Sequence, residues 1–192
     1  REMPTSQDGL FSPEEFVERY NFDLCNDLSN LLNRTVSMVN KYFDGQVPEY
    51  NGTPNEVDEE IEKNCLEQIE KFEKLFENFE IANSIQEIWT LVSRTNKYID
   101  ETMPWALAKD ETKKDRLATV LYNLIEAIRF SAVMLYPYMP STATKILDQI
   151  NTDQRDFESL KEFGNYASGT KVVEKPEMLF ARLDPKEVAK KV

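Results

Sequence analysis

The chain contains no histidine. That removes Ser/His/Asp and Cys/His triads, HExxH zinc sites and the commonest general base near neutral pH. Cysteine is nearly absent as well: Cys25 and Cys65 stand 40 residues apart with no CxxC spacing, so neither a zinc knuckle nor a disulfide framework is indicated. Both are expected to be buried thiols in a reducing, cytoplasmic setting. Five glycines in 192 residues are few, which argues against a turn-rich β-sandwich and against a GxGxxG phosphate loop. No run approaches the eighteen or so apolar residues of a membrane span, and the Arg-Glu-Met-Pro start lacks signal-peptide character. Positive charge is in short supply: 23 basic residues against 35 acidic ones give a net charge of −12. As a whole the chain repels phosphate, so any nucleic-acid role must be local.

What is present is a globular composition, 41% hydrophobic and 30% charged, in a length that suits one large domain or two small ones. Its periodicity is helical. Ser12-Pro13-Glu14-Glu15 predicts a helix start, with Ser12 as cap and Pro13 at the first helical position. After a possible bend at Tyr20-Asn21, a helix over 22–43 carries Leu24, Leu28, Leu31, Val39 and Tyr42 on one side and ends at Asp44-Gly45. A proline- and glycine-marked loop over 46–54 leads to a second amphipathic helix, from Val57 to Phe79. Residues 56–80 hold ten acids and three lysines, a local charge of −7, expected to be a solvated face. A third helix through Ile85, Trp89, Val92 and Ile99 breaks at Met103-Pro104, just before Trp105. The stretch from about Asp110 to Tyr136, apolar on most of its circumference, predicts the central helix. A shorter helix over 141–150 follows, then irregular chain from 157 to 169 and the start of a helix at 185–192. The expected fold class is therefore all-α, a bundle of about five main helices. The expected division is a linker over 1–10 from a part outside this sequence, the bundle over 11–151 and an extension over 152–192 that packs back on it and leads to a further C-terminal part.

Projection of residues 24–43 at about 100° per residue sets Asn26, Asn30, Asn33, Arg34, Ser37 and Lys41 opposite the apolar side, with no carboxylate among them. Amides offer donor and acceptor together, and a guanidinium can stack or bind bidentately, so this face suits base edges and phosphates. A solvated polar face satisfies the same spacing. Trp89 falls on an apolar helix face and reads as core, whereas Trp105 suits either packing under the proline turn or stacking on an unpaired base. Lys109, Lys113 and Lys114 either touch phosphate or offset Asp110, Glu111 and Asp115.

Six stretches carry a family resemblance. Phe16-Val17-Glu18-Arg19-Tyr20-Asn21, Asn26-Asp27-Leu28-Ser29-Asn30-Leu31-Leu32-Asn33-Arg34 and Asn40-Lys41-Tyr42-Phe43-Asp44-Gly45 resemble the start of the anticodon-binding domain of bacterial methionyl-tRNA synthetases. Tyr98-Ile99-Asp100-Glu101-Thr102-Met103-Pro104-Trp105-Ala106-Leu107-Ala108-Lys109 is similar to a second signature of that family. Tyr136-Pro137-Tyr138-Met139-Pro140 and Leu179-Phe180-Ala181-Arg182-Leu183-Asp184 fit its later segments. The resemblance implies a helical bundle that recognises the methionine anticodon. It also implies that Asn30, Arg34 and Trp105 contact the anticodon, that Asn26 is their neighbour on the same face, and that the tryptophan stacks on the first anticodon base.

The family's His-Ile-Gly-His and Lys-Met-Ser-Lys-Ser catalytic signatures are absent. These residues are therefore expected to hold no catalytic site, cofactor or metal. ATP chemistry, and any zinc, is assigned to a catalytic part outside this sequence. The implied partners are the anticodon loop of methionine tRNA and that catalytic part, with no membrane. Two alternatives stay open on the sequence: the anticodon domain of a related synthetase of the same class, and a helical interaction bundle with no nucleic-acid role.

Overall fold

The computed structural model describes residues 12–52 and 54–188. The expected linker at 1–10 and the last four residues of the expected terminal helix lie outside this range. The fold is all-α: among the described residues the one extended pairing is an antiparallel bridge between Gln46 and Lys171.

Helix α1, Pro13–Arg19, starts as its sequence dictates, with Pro13 in the first turn and Ser12 Oγ accepting the Glu15 N–H at 3.2 Å. At Tyr20-Asn21 the structure shows no break in the helix. The backbone widens instead into π turns over Tyr20–Ser29 and returns to α geometry in α2, Asn30–Phe43. Wide turns advance less per residue than α turns, so the 100° projection fails there. Leu28 and Leu31 are buried as expected, while Leu24 lies only partly buried at the core margin. Asp44 then takes a left-handed conformation at φ 53° and ends the rod.

Helices α3, Glu56–Glu77, and α4, Ile81–Thr102, pack side by side along much of their length. Met103, at φ 44°, is a left-handed non-glycine residue that turns the chain into the four-residue helix α5, Pro104–Leu107. Helix α6, Lys114–Leu135, is the centre of the bundle, buried continuously from Leu117 to Leu135 and packed against α2, α3, α4 and α7, Pro140–Gln149. Helix α6 with the turn before it, 111–135, is long and apolar enough by composition to cross a membrane, contrary to the count of apolar runs. Its most apolar window is wholly covered by the other helices, which accounts for that composition. Leu121, Leu124, Ile125 and Ile128 join Leu28 and Leu31 in one core with Trp89.

After α7 the chain is irregular, apart from one 3-10 turn at Glu158–Leu160, until α8, Pro185–Val188. It is laced to the bundle by side chains. Asn40 donates Nδ2 to the Val173 carbonyl at 2.8 Å, and Gln149 bonds both ways with the Glu177 backbone. Asn21, buried on the wide turns, donates to the Leu183 carbonyl and accepts its N–H, each at 2.9 Å.

Three charged side chains that the sequence placed in solvent or in an apolar helix are buried in the core. Glu126 and Arg129 pair within α6 at 2.7 Å. Asp58, in the first turn of the acidic helix α3, is fully covered and meets Arg116 at 2.6 Å. The acidic helix is thus a solvated face only on its outer side. Cys65 is buried, but Cys25 is only partly so, because it sits on the wide turns at the margin; both are free thiols, and burial pushes both upward in pKa.

Tyr98, Tyr122 and Tyr166 are also buried, their hydroxyls bonded to Asp58, to the Tyr166 carbonyl and to the Ile150 carbonyl. Burial raises all three above the ordinary tyrosine value. A phenol whose folded pKa lies above its unfolded value of about 10 contributes fully below that pH and loses its contribution as pH climbs past it. With no histidine to titrate, urea midpoints are expected to be flat from about pH 6 to about pH 8, to begin to fall near about pH 8.5 as the raised Cys65 and Cys25 thiols enter, and to fall more steeply above about pH 10. A fall already complete by pH 9 would contradict the burial of these hydroxyls.

Candidate nucleic-acid interface

Three helical segments meet at one edge of the bundle. Helix α2 supplies Arg34, the last turns of α4 supply Asp100, and the proline turn supplies Trp105. The Arg34 guanidinium lies over the Trp105 ring, its central carbon 5.8 Å from the ring centroid, within cation–π range. Arg34 Nη2 is 4.0 Å from Asp100 Oδ1, a long contact between exposed groups that screening makes weak. Trp105 is 40% exposed and Trp89 only 6%, so the two tryptophans separate into a surface ring and a core ring. Packing of Trp105 wholly under the proline turn, one of the two readings its sequence allowed, is not what the structure shows.

Asn30 lies one turn before Arg34 on α2 and Asn26 on the wide turns before it, and both are exposed. Neither amide bonds another side chain among the described residues, so both keep donor and acceptor open to a ligand. The rest of the projected face is more self-contained. Ser37 donates its hydroxyl to Asn33 Oδ1 at 3.3 Å, and Lys41 Nζ lies 5.2 Å from the Tyr42 ring centroid. The structure therefore brings Arg34 and Trp105 together and sets the two asparagines along the approach to them.

The face is not free of carboxylate, as projection of one helix suggested, because Asp100 arrives from α4. Asn96, one turn earlier on α4, donates Nδ2 to the Asp27 carbonyl at 3.3 Å and ties α4 to the wide turns. The Asn96/Asp100 spacing of four puts both on one face of α4, but it does not tell which helix that face meets. Beyond the proline turn, Lys113 Nζ sits 3.8 Å from Asp110, and Asp110 itself accepts the Thr112 hydroxyl and amide, which hold its carboxyl below the usual range. Among the described residues no group of three or more Cys, Asp or Glu is placed to hold a metal ion.

A helical bundle that displays an arginine-capped indole ring and open amides along one edge is built to present groups to a ligand, the arrangement of a binding domain. The profile of the family described as the anticodon binding domain of methionyl tRNA ligase matches residues 47–191. The chain belongs to that family. It is 48% identical over 190 residues to the methionine–tRNA ligase of Bacillus subtilis, covering 97% of this chain and 28% of that protein. It is 48% identical over 192 residues to that of Caldanaerobacter subterraneus, covering 98% of this chain and 30% of that protein. The fold matches the apo methionyl-tRNA synthetase of Mycobacterium tuberculosis with a TM-score of 0.89 and 34% identity, over 96% of this chain and 37% of that one. The chain thus spans less than a third of the B. subtilis and C. subterraneus proteins. The alternative of a related synthetase is set aside by these matches, as is that of a bundle outside the anticodon-binding families.

Proposed function

We propose that this chain reads the methionine anticodon through Trp105, Arg34, Asn30 and Asn26. The exposed ring stacks an unpaired base, Arg34 binds a base edge or phosphate from beside it, and the two asparagines extend the polar contact along α2 and the turns before it. The observation that carries this reading is the Arg34–Trp105 pair, 5.8 Å from guanidinium carbon to ring centroid, joining two signatures 71 positions apart in the sequence. Stacking leaves one ring face to the base while the cation holds the other, which fixes the ring without covering it.

The parent protein is then a methionine–tRNA ligase that attaches methionine to tRNA with ATP in the cytoplasm. ATP, any zinc and the catalytic groups are supplied by a part outside this sequence, the chain's second partner after tRNA. Within the chain, 11–151 is the reading unit and 152–192 an extension from it. A net charge of −12 suits local, base-directed readout and leaves most phosphate affinity to the rest of the enzyme.

The outer side of α3 lies outside the interface in this reading. Glu70→Lys and Glu77→Lys, both at exposed positions, are expected to leave the ratio of affinities for methionine and altered anticodon stem-loops unchanged. Arg34→Gln is expected to lower that ratio by about tenfold, from a contact of about 1–3 kcal/mol. Filter binding with the four chains at one salt concentration checks this, and a ratio that moves with the α3 charges rather than with Arg34 contradicts it.

A further inference from the structure

A polar cluster away from the Arg34–Trp105 edge joins α3, α4 and α6. Asp58 is fully buried, and its Oδ1 accepts the Tyr98 hydroxyl from α4 while its Oδ2 accepts Arg116 Nη1 from the first turn of α6 at 2.6 Å. Asn123, further along α6, donates Nδ2 to the Tyr98 hydroxyl at 3.1 Å and lies 3.5 Å from Asp58 Oδ1. A buried ion pair is a poor source of stability, since apolar replacements often do as well; what it does supply is one fixed arrangement of the elements that meet on it. Here those elements are the two stems of the Trp105 turn.

On the first stem, Tyr98 stands one turn before Thr102, whose Oγ1 donates to the Tyr98 carbonyl at 2.6 Å. The Met103 N–H closes on the Ile99 carbonyl at 2.9 Å, Pro104 is buried, and Trp105 follows. On the second stem, the Asp110–Thr112 turn leads directly into α6 and Arg116. Residues 103–113 therefore hang between two points, Tyr98 and Arg116, that are both fastened to one carboxylate. Arg34 approaches the same ring from a different helix, so a shift of the turn against α2 would part the pair.

We propose that Asp58 is a positioning residue for anticodon reading: it clamps both stems of the 103–113 turn and so sets the Trp105 ring in register with Arg34. The proposal rests on the reading of Trp105 as the stacking ring. It assigns Asp58 no contact with RNA.

The test is a double-mutant cycle on the 192-residue chain, with a methionine anticodon stem-loop as probe, at a temperature where circular dichroism shows every variant folded. Asp58→Asn keeps the volume and removes the charge facing Arg116. It is expected to weaken binding about fivefold to tenfold in the otherwise native chain and to leave the affinity of Trp105→Ala unchanged, because a missing ring cannot be misplaced. Native affinity in Asp58→Asn, or a loss that recurs in full beside Trp105→Ala, overturns the proposal. Should Asp58→Asn fail to fold, Tyr98→Phe, which removes one hydroxyl from the cluster, enters the same cycle with an expected loss of about threefold and the same non-additivity. Trp105→Ala alone separates the two readings. Native affinity there defeats the stacking reading and this proposal together, whereas a loss there without one in Asp58→Asn defeats the positioning role only.

Discussion

Trp105→Ala is expected to weaken binding of a methionine anticodon stem-loop by about tenfold or more while moving the melting temperature little. Base stacking on an aromatic ring contributes about 1–3 kcal/mol, and each 1.4 kcal/mol is about a factor of ten in affinity. The ring is 40% exposed and lies against the half-buried Arg34 guanidinium at the bundle edge, so truncation opens no closed cavity. A core tryptophan behaves in the opposite way: its removal costs about 3–5 kcal/mol of stability, or roughly 6–20 °C in a domain of this size. Fluorescence titration and thermal unfolding on the same preparation distinguish the two. A collapse in melting temperature with binding retained in the cold would place Trp105 in the core and contradict the interface.

The largest effect on stability is expected at Glu126. Its two oxygens accept Arg129 Nε at 2.7 Å and Nη2 at 2.8 Å, and Oε1 also accepts the Gly164 and Asn165 N–H groups, each at 3.0 Å. Arg129 in turn donates to the Ser159 hydroxyl and carbonyl at 2.7 and 3.0 Å. One buried pair therefore fastens the irregular segment around 159–165 to the central helix. Glu126→Gln leaves the Arg129 charge fully buried without its counter-ion, which costs about 3–5 kcal/mol. At about 2–4 °C per kcal/mol that is a fall of roughly 6–20 °C in Tm. Thermal unfolding followed by circular dichroism checks it, and a change of less than about 2 °C would mean that the segment is held by its apolar contacts alone.

These buried charges also mark where sequence reading stops. The helices were legible because their signals are local: the cap at Ser12, the apolar periodicity of α3 and α4, the proline after Met103. The Arg34 face was legible for the same reason, since five of its six residues lie on one helix, α2. What was not legible depends on partners distant in sequence. Asp58 is one acid among ten in its stretch, and nothing local separates the one that meets Arg116, 58 positions away, from those that face water. Glu126 and Arg129, three apart in an apolar helix, did carry a local sign of a buried pair. The wide turns over Tyr20–Ser29 were hidden because Asn21 and Ser29 are paid for by bonds to Leu183 and Leu179, at the far end of the chain. Asp100 was hidden because projection of α2 says nothing about what α4 brings alongside.

The central claim is that this face distinguishes an anticodon by its bases. Its most direct test is equilibrium titration of the chain, at one fixed low salt concentration, with a methionine anticodon stem-loop and with the same stem-loop altered at its first anticodon base. The account predicts tighter binding of the unaltered stem-loop by about tenfold, the discrimination worth about 1.4 kcal/mol that one lost base contact supplies. Equal affinity for the two stem-loops would contradict it.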